Sequence, residues 1–144
     1  PFAADDVPSE MRDIHGVECV FRHTRKHVHC VPYSDTNLDY IIQLGSIVAG
    51  GTDELRRRPV MSLFVSPEST LYYGEVADIM IKAASYNLPI SILPTIIAGG
   101  TGPITLAGTL VQNNAEFLCG NLLVQLTNPR NPVIYSSVPM NLDM

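Results

Sequence analysis

LPISILPTIIAGGTGPITLAGTLVQNNAEFLCGNLLVQL, residues 88–126, reads as a buried strand, a glycine turn and a long helix. Ile90 to Ala98 is apolar on both faces and lies between Pro89 and Gly99. A strand covered on both sides reads that way. Gly99, Gly100 and Gly102 permit a sharp turn or a close approach of backbone to a ligand. Thr101 is placed to cap the following helix, and Pro103 suits its first position. Leu106, Leu110, Leu118 and Leu122 recur at helical spacing, as on a buried stripe. The turn joins the carboxyl end of a strand to the amino end of a helix, where parallel α/β folds bind ligands. Its amides are candidates to face a carboxylate or phosphate. A tight βα turn without a ligand has the same composition, so the glycines alone leave both readings open.

Upstream, Pro1 to Pro8 is acidic and proline-bearing and reads as a linker or incoming loop. Ser9 is positioned to cap a helix from about Glu10 to His23. Lys26 to Tyr33 follows as a strand, and Ser34-Asp35-Thr36 opens a helix over Asn37 to Ala49 that ends at Gly50-Gly51. A short helical turn begins at Thr52. Val60 to Ser66 is the next strand, and a helix is expected from Leu71 to Tyr86 with Val76, Ile79, Met80 and Ala83 inward. Downstream, Asn128-Pro-Arg-Asn-Pro stops the long helix. Val133 to Ser137 is a fourth strand, and Pro139 to Met144 reads as the start of a further loop. The order is therefore α, then β-α three times, then β. Strand spacing leaves room for right-handed helical crossovers. Half of a (β/α)8 barrel and a small flavodoxin-like sheet both satisfy that order.

At 144 residues one domain is expected. The chain is 46% hydrophobic and 16% charged, as parallel strands buried on both faces require. A formal charge of −5 argues against non-specific binding to nucleic acid. No apolar run reaches membrane-spanning length, and the start carries no signal-peptide pattern. Cys19, Cys30 and Cys119 are odd in number and widely spaced, and read as reduced thiols of a cytoplasmic protein. His27-Val28-His29 has the spacing of a metal pair on a strand. His27 lies at the amino end of that strand, away from a barrel's active face, and no metal site is assigned. Arg56-Arg57-Arg58 precedes Pro59 at the amino end of the next strand and reads as solvated surface rather than a phosphate site.

Ala98-Gly-Gly-Thr-Gly-Pro-Ile-Thr-Leu-Ala-Gly-Thr-Leu-Val-Gln, followed by Asn114-Ala-Glu, resembles the trimethylamine methyltransferase family. Val48-Ala-Gly-Gly with Glu54-Leu-Arg-Arg-Arg-Pro, Ser66-Pro and Asn131-Pro-Val-Ile-Tyr match further, in the family's order and approximate spacing. The resemblance runs from about Asp35 to Met144. It implies an α/β fold, a partial (β/α)8 TIM barrel of about four parallel strands with alternating helices. Residues 1–144 would then be a single segment, truncated or internal, of one larger barrel domain. The implied activity is transfer of a methyl group from a tertiary or quaternary amine, of the trimethylamine or glycine betaine type, to the Co(I) of a corrinoid protein. No cofactor would be bound directly, because the corrinoid (cobalamin) is carried by a cognate partner protein. Strand carboxyl ends supply the candidate substrate contacts: Tyr33, Ser66, Thr95, Gly99, Gly100, Thr101, Tyr135 and Ser136. The tyrosines could offer π faces to a cation. Pyrrolysine, which some trimethylamine members carry, has no counterpart here and is expected beyond Met144; catalytic residues are not assigned. Glu68 stands where relatives are expected to be apolar, and Gly100 and Gly102 where they are richer in alanine, which bears on substrate choice. A partial barrel leaves sheet edges uncovered, so a homo-oligomer is expected. The alternatives are a non-catalytic barrel fragment and a small phosphate-binding α/β protein that uses Gly99–Gly102.

Overall fold

Pro94 divides the apolar run at residues 90–98. It has no N–H to give to a ladder, and regular pairing stops at Ile92. In the computed structural model, which describes residues 6–68 and 70–142, the run is two strands and not one. β3 is Ile90–Ile92 and β4 is Ile97–Ala98. The expected linker at Pro1 to Pro8 falls in part on residues 1–5. The loop after Ser66 includes Ser69, and the terminal loop includes residues 143 and 144. These positions lie outside the described residues.

A single 3-10 turn at Ser9–Met11 leads into α1 (Arg12–His23), without a cap from Ser9. β1 (Val28–Cys30), α2 (Asp35–Ala49), α3 (Thr52–Arg57) and β2 (Met61–Val65) follow. α4 (Val76–Ser85) precedes β3, and α5 (Leu106–Thr127) follows β4. β5 is Val133–Tyr135, and β6, Met140–Asn141, lies in the segment expected to be only loop. α4 begins five residues later than the sequence suggests. Leu71 and Gly74 have left-handed backbone (φ 58° and 52°), which a helix cannot contain.

The main sheet is parallel throughout and ordered β1-β2-β3-β5. Its strands lie side by side in chain order, without the reversal that marks a flavodoxin-like sheet. A parallel α/β sheet with alternating helices and this order is compatible with an arc of a barrel. Beyond Pro94, β4 and β6 pair in parallel as a separate two-stranded sheet.

Register sets which side chains share a face, since side chains alternate along each strand. Val28, Cys30, Leu63, Ile90 and Ile92 form one buried layer. Leu38 and Ile41 of α2, Met80 and Ala83 of α4, and Val124 of α5 pack into the same core. His29, Ser62, Phe64, Ser91 and Ile134 share the opposite face. There Ile134 is exposed, and His29 meets Phe64 edge-on at 5.6 Å. Between α2 and α4, Lys82 Nζ donates to Asp35 Oδ2 at 2.7 Å and to Asp39 Oδ2 at 2.9 Å. Burial pulls the ammonium down, but these two carboxylates outweigh it and hold its pKa above the usual lysine value.

The leucine stripe expected to be buried is not. Leu106, Leu110, Leu118 and Leu122 are all at least half exposed. α5 lies on the sheet through Thr109, Asn113, Glu116, Gly120 and Val124. Small and polar side chains allow a close approach there. A Cβ on Gly120 would collide with the Tyr73 hydroxyl.

Cys30 is fully buried, and burial pushes its thiol up to about 12. A raised folded-state pKa gives stability that is complete below the unfolded value and is lost as pH rises through the folded one. With Cys19→Ser and Cys119→Ser removing the exposed thiols, Cys30 should react with a thiol reagent at pH 8 only as fast as the chain unfolds. Stability should fall between the ordinary thiol value and about pH 12, and fall less in Cys30→Val. A fast reaction in the native state would contradict this burial.

Candidate functional site

The carboxyl ends of β2 and β3 open onto a cavity of about 180 Å³ lined by Pro67, Glu68, Thr70, Thr95, Thr101 and Glu116. Parallel strands direct their following loops to one end of the sheet, so these residues converge although they are far apart in sequence. Ser66 Oγ lies 3.5 Å from Thr95 Oγ1 at the rim. A larger cleft of about 590 Å³ lies on the other side of Glu68, which lines both. Tyr33, Asp35, Glu75 and Asp78 also line it. Tyr33 is half exposed, and its backbone N–H donates to Asp13 Oδ2 at 2.8 Å. Asp13 is buried, and its Oδ1 accepts from Asn37 Nδ2 at 2.8 Å. It fixes the loop that carries Tyr33.

The glycine turn is closed on itself. The amides of Gly100, Thr101 and Gly102 all donate to the carbonyl of Ile97, at 2.9, 2.9 and 3.1 Å, and that of Gly99 donates to Gly102 O at 3.1 Å. These donors are occupied within the turn, so it offers no ready nest for a phosphate. Gly99 alone of the three has positive φ, at 79°. The Thr101 hydroxyl does not cap the helix. It accepts from Ile97 N at 2.9 Å, while Thr105 caps α5 by accepting from Gly108 N at 3.2 Å. The Thr101 carbonyl accepts from Thr70 Oγ1 at 2.9 Å and from Gln112 Nε2 at 3.3 Å. It therefore joins the loop after β2 to α5.

Tyr135 and Ser136 are adjacent in sequence and point apart. The Tyr135 phenol accepts from Asn113 Nδ2 at 3.1 Å, and its ring lies 4.3 Å from Phe117. Ser136 turns to the other face, where its hydroxyl lies 2.7 Å from that of Ser91. Thr95 and Thr101 share the smaller cavity with Ser66 at its rim, Tyr33 borders the larger cleft, and Tyr135 and Ser136 line neither. Among the described residues no group of three or more His, Cys, Asp or Glu is placed to hold a metal ion. No helix there is long and apolar enough to cross a membrane.

Glu116 and Glu68 are the site residues that the sequence reading did not select. Glu116 is almost fully buried. Its Oε1 accepts from Leu71 N and from Gln112 Nε2, both at 3.1 Å, and its carbonyl accepts from the Tyr73 hydroxyl at 2.8 Å. Burial pushes the Tyr73 phenol above its ordinary pKa, with Cys119 and Glu116 adding to the effect. Leu71 is held in the left-handed region at φ 58°, strain that a leucine adopts only when its surroundings impose it. Glu68 Oε1 accepts from Val76 N at 3.2 Å, which places a carboxylate at the amino end of α4, where the helix dipole favours it. One signal for Glu116 was available: it is the single charged residue between Leu106 and Thr127. A lone charge in an apolar helix has to be exposed or specifically paired.

Over residues 1–144 the chain matches the family described as Trimethylamine methyltransferase (MTTB). It belongs to that family. It is similar to trimethylamine methyltransferase MttB of Desulfitobacterium hafniense (strain DSM 10664 / DCB-2), with 35% identity over 145 residues, covering 100% of this chain and 29% of the relative. The same protein of Methanosarcina barkeri (strain Fusaro / DSM 804) is 33% identical over 147 residues, 100% of this chain and 30% of the relative. A glycine betaine methyltransferase of Desulfitobacterium hafniense (strain Y51) is 36% identical over 104 residues, 72% of this chain and 22% of the relative. The chain thus spans about three-tenths of the length of the trimethylamine methyltransferases it matches.

Two substitutions separate turn geometry from the buried carboxylate. Gly99→Val should lower the unfolding free energy by roughly 1–3 kcal/mol, the usual cost of left-handed backbone at a branched residue. Gly100→Val should cost less, because Gly100 has no positive φ and an added Cβ would meet only Ile97, its side chain at 3.2 Å and its carbonyl oxygen at 3.6 Å. Glu116→Ala should cost about 1–3 kcal/mol by leaving the Leu71 N–H without its acceptor, while Glu116→Gln, which keeps an acceptor oxygen, should cost less. Denaturant titration measures both pairs, and the reverse ranking in either would discard the corresponding assignment.

Proposed function

We propose that this MTTB-family chain is an arc of a (β/α)8 barrel belonging to a methyltransferase that moves a methyl group from a tertiary or quaternary amine to a corrinoid protein. The family match over the whole chain carries the reading. Relatives named for trimethylamine and for glycine betaine support a methylated amine as substrate. A parallel sheet in chain order supports the barrel arc. The corrinoid, held by a separate protein, supplies the cobalt nucleophile. The barrel would bind the amine, orient it and keep water from it.

A quaternary ammonium cannot donate a hydrogen bond, so its recognition rests on charge and on aromatic faces. Glu68 and Glu116, both lining the 180 Å³ cavity, suit a cation. Thr95, Thr101 and Ser66 would orient polar parts of the substrate. Gly99 and Gly100 would shape the wall through their backbone. Tyr33, beyond Glu68, would present its ring from the adjoining cleft. Tyr135 and Ser136 would act at the neighbouring strand end. When the methyl leaves a quaternary ammonium, the bonding pair stays on nitrogen and the departing amine is neutral, which makes the donor a good one. Proximity is the barrel's main contribution to rate.

The test uses this chain and a full-length protein containing it, each with reduced corrinoid protein and separate methylated amines. Cobalt methylation is followed by its visible spectrum. The full-length protein should methylate cobalt from one tertiary or quaternary amine without S-adenosylmethionine, and this chain alone should be at least about 100-fold slower, since orientation needs the complete mouth. Docking to the corrinoid protein without turnover by either form would favour a non-catalytic role. Failure with every amine, together with phosphate binding lost in Gly99→Val, would replace the proposal by the phosphate-binding one.

A further inference from the structure

The cavity at the carboxyl ends of β2 and β3 is lined by a buried carboxyl group with one oxygen to spare. Glu116 is only 3% exposed, and its Oε1 accepts from Leu71 N and from Gln112 Nε2. Its Oε2 has no hydrogen-bond partner among the described residues. Asn131 Oδ1 is the one described buried side-chain atom that is both enclosed and without a partner. Glu116 Oε2 is therefore not enclosed, and the open space that Glu116 lines is this cavity. Glu68 brings a second carboxyl group to the same wall. Gly74 makes room for it, since a Cβ there would collide with the Glu68 carboxyl.

Nothing positive balances these two groups. Neither the cavity nor the adjoining cleft has a lysine, arginine or histidine among the described residues that line it. Lys82, beside the cleft, is already paired with Asp35 and Asp39, and Glu75 and Asp78 add further negative charge to the cleft. The backbone donors are spent as well: the Val76 N–H on Glu68, and the glycine-turn amides on Ile97 and Gly102. Cavity and cleft thus present a field of one sign.

We propose that Glu116 and Glu68 set the charge of the acceptable substrate: the cavity takes a methylated ammonium whose remaining substituent is uncharged, and rejects one whose substituent is a carboxylate. The inference rests on the reading that this cavity receives the amine, which left that substituent open. A zwitterionic donor carries both charges on one small skeleton, so seating its ammonium beside Glu116 brings its carboxylate into the same negative field. No cation or free backbone amide is there to receive it, and an anion desolvated without a partner is strongly disfavoured. Repulsion of this kind rejects a ligand without adding any contact to the accepted one. The cavity lies over β2 and β3, the middle strands of the main sheet, and its walls come from this chain. Strands that continue the sheet would add at β1 and β5, away from it.

Titration calorimetry on a full-length protein containing this chain compares glycine betaine with its carboxamide, which keeps the skeleton and replaces the carboxylate by a neutral group of similar size. The carboxamide should bind at least about 100-fold more tightly. Glu116→Gln keeps an acceptor for Leu71 N and puts an N–H donor where Oε2 stands. Combined with Glu68→Gln, it should narrow that preference at least about tenfold. Glu68 is exposed, so Glu68→Gln alone tests the same direction without disturbing the buried bonds. Equal binding of the two ligands, tighter binding of betaine, binding of neither, or a preference unchanged in both variants overturns the proposal. Cobalt methylation is followed separately. A protein that shows the preference and its loss in the variants, yet methylates cobalt from no amine, would sink the methyltransferase reading and leave this one standing.

Discussion

The side chain of Glu116 holds together the end of the molecule where its loops meet. It is the only charge on α5, it is nearly fully buried, and one of its oxygens accepts two hydrogen bonds from different segments. A buried carboxyl left without such partners would cost several kcal/mol. Its place is therefore set by the partners it can find, and the partners are set by it in turn. Leu71 keeps a left-handed backbone beneath it. Tyr73 reaches across to the carbonyl of the same residue, through space that only the missing side chain of Gly120 leaves open. Through these bonds the loop after β2 is attached to α5, and through Thr70 and Thr101 it is attached to the turn after β4. The cavity walls are fixed before any ligand arrives.

Most of the framework was legible in the sequence because its signals are local. Prolines and glycines bound the strands, Ser34 caps α2 by accepting from Asn37 N, and β2 is a short, mostly apolar run between Pro59 and Pro67. What failed needed information from another part of the chain. Pro94 lies inside an apolar run, and only the separate pairing of Ile97 and Ala98 with Met140 and Asn141 shows that two strands are present. Thr101 and Thr105 flank Pro103 and are both plausible caps. Thr101 is taken by Ile97 N, which leaves Thr105 for the helix.

The reading of α5 failed for a more general reason. Leucines four apart drift by about 40° at each step, so they wind round a long helix instead of marking one face. The sheet-facing positions were Thr109, Asn113, Glu116 and Gly120, which a hydrophobic count discards. Polar residues can face a core when they have partners there: Asn113 meets Tyr135 and Ser137, and Thr109 donates to the carbonyl of Pro103. For the same reason Glu116 was not selected as a site residue, although it stood inside a motif that resembled the family. A resemblance marks a segment, whereas its working side chains emerge only when the segment is seen against the others.

Glu68 and Glu116 have a property in common that bears on what the cavity could accept. Each carboxyl is held by a backbone N–H, of Val76 and of Leu71, and so is oriented by the fold and not by a ligand. A field fixed in this way costs no reorganisation when a cation enters, which is the condition under which electrostatic stabilisation is strongest. On the proposed reading, a permanently methylated cation needs charge nearby, a wall of the right size and few competing donors. The closed glycine turn adds no free amide donor at this end of the sheet, because its amides are spent on Ile97 and Gly102.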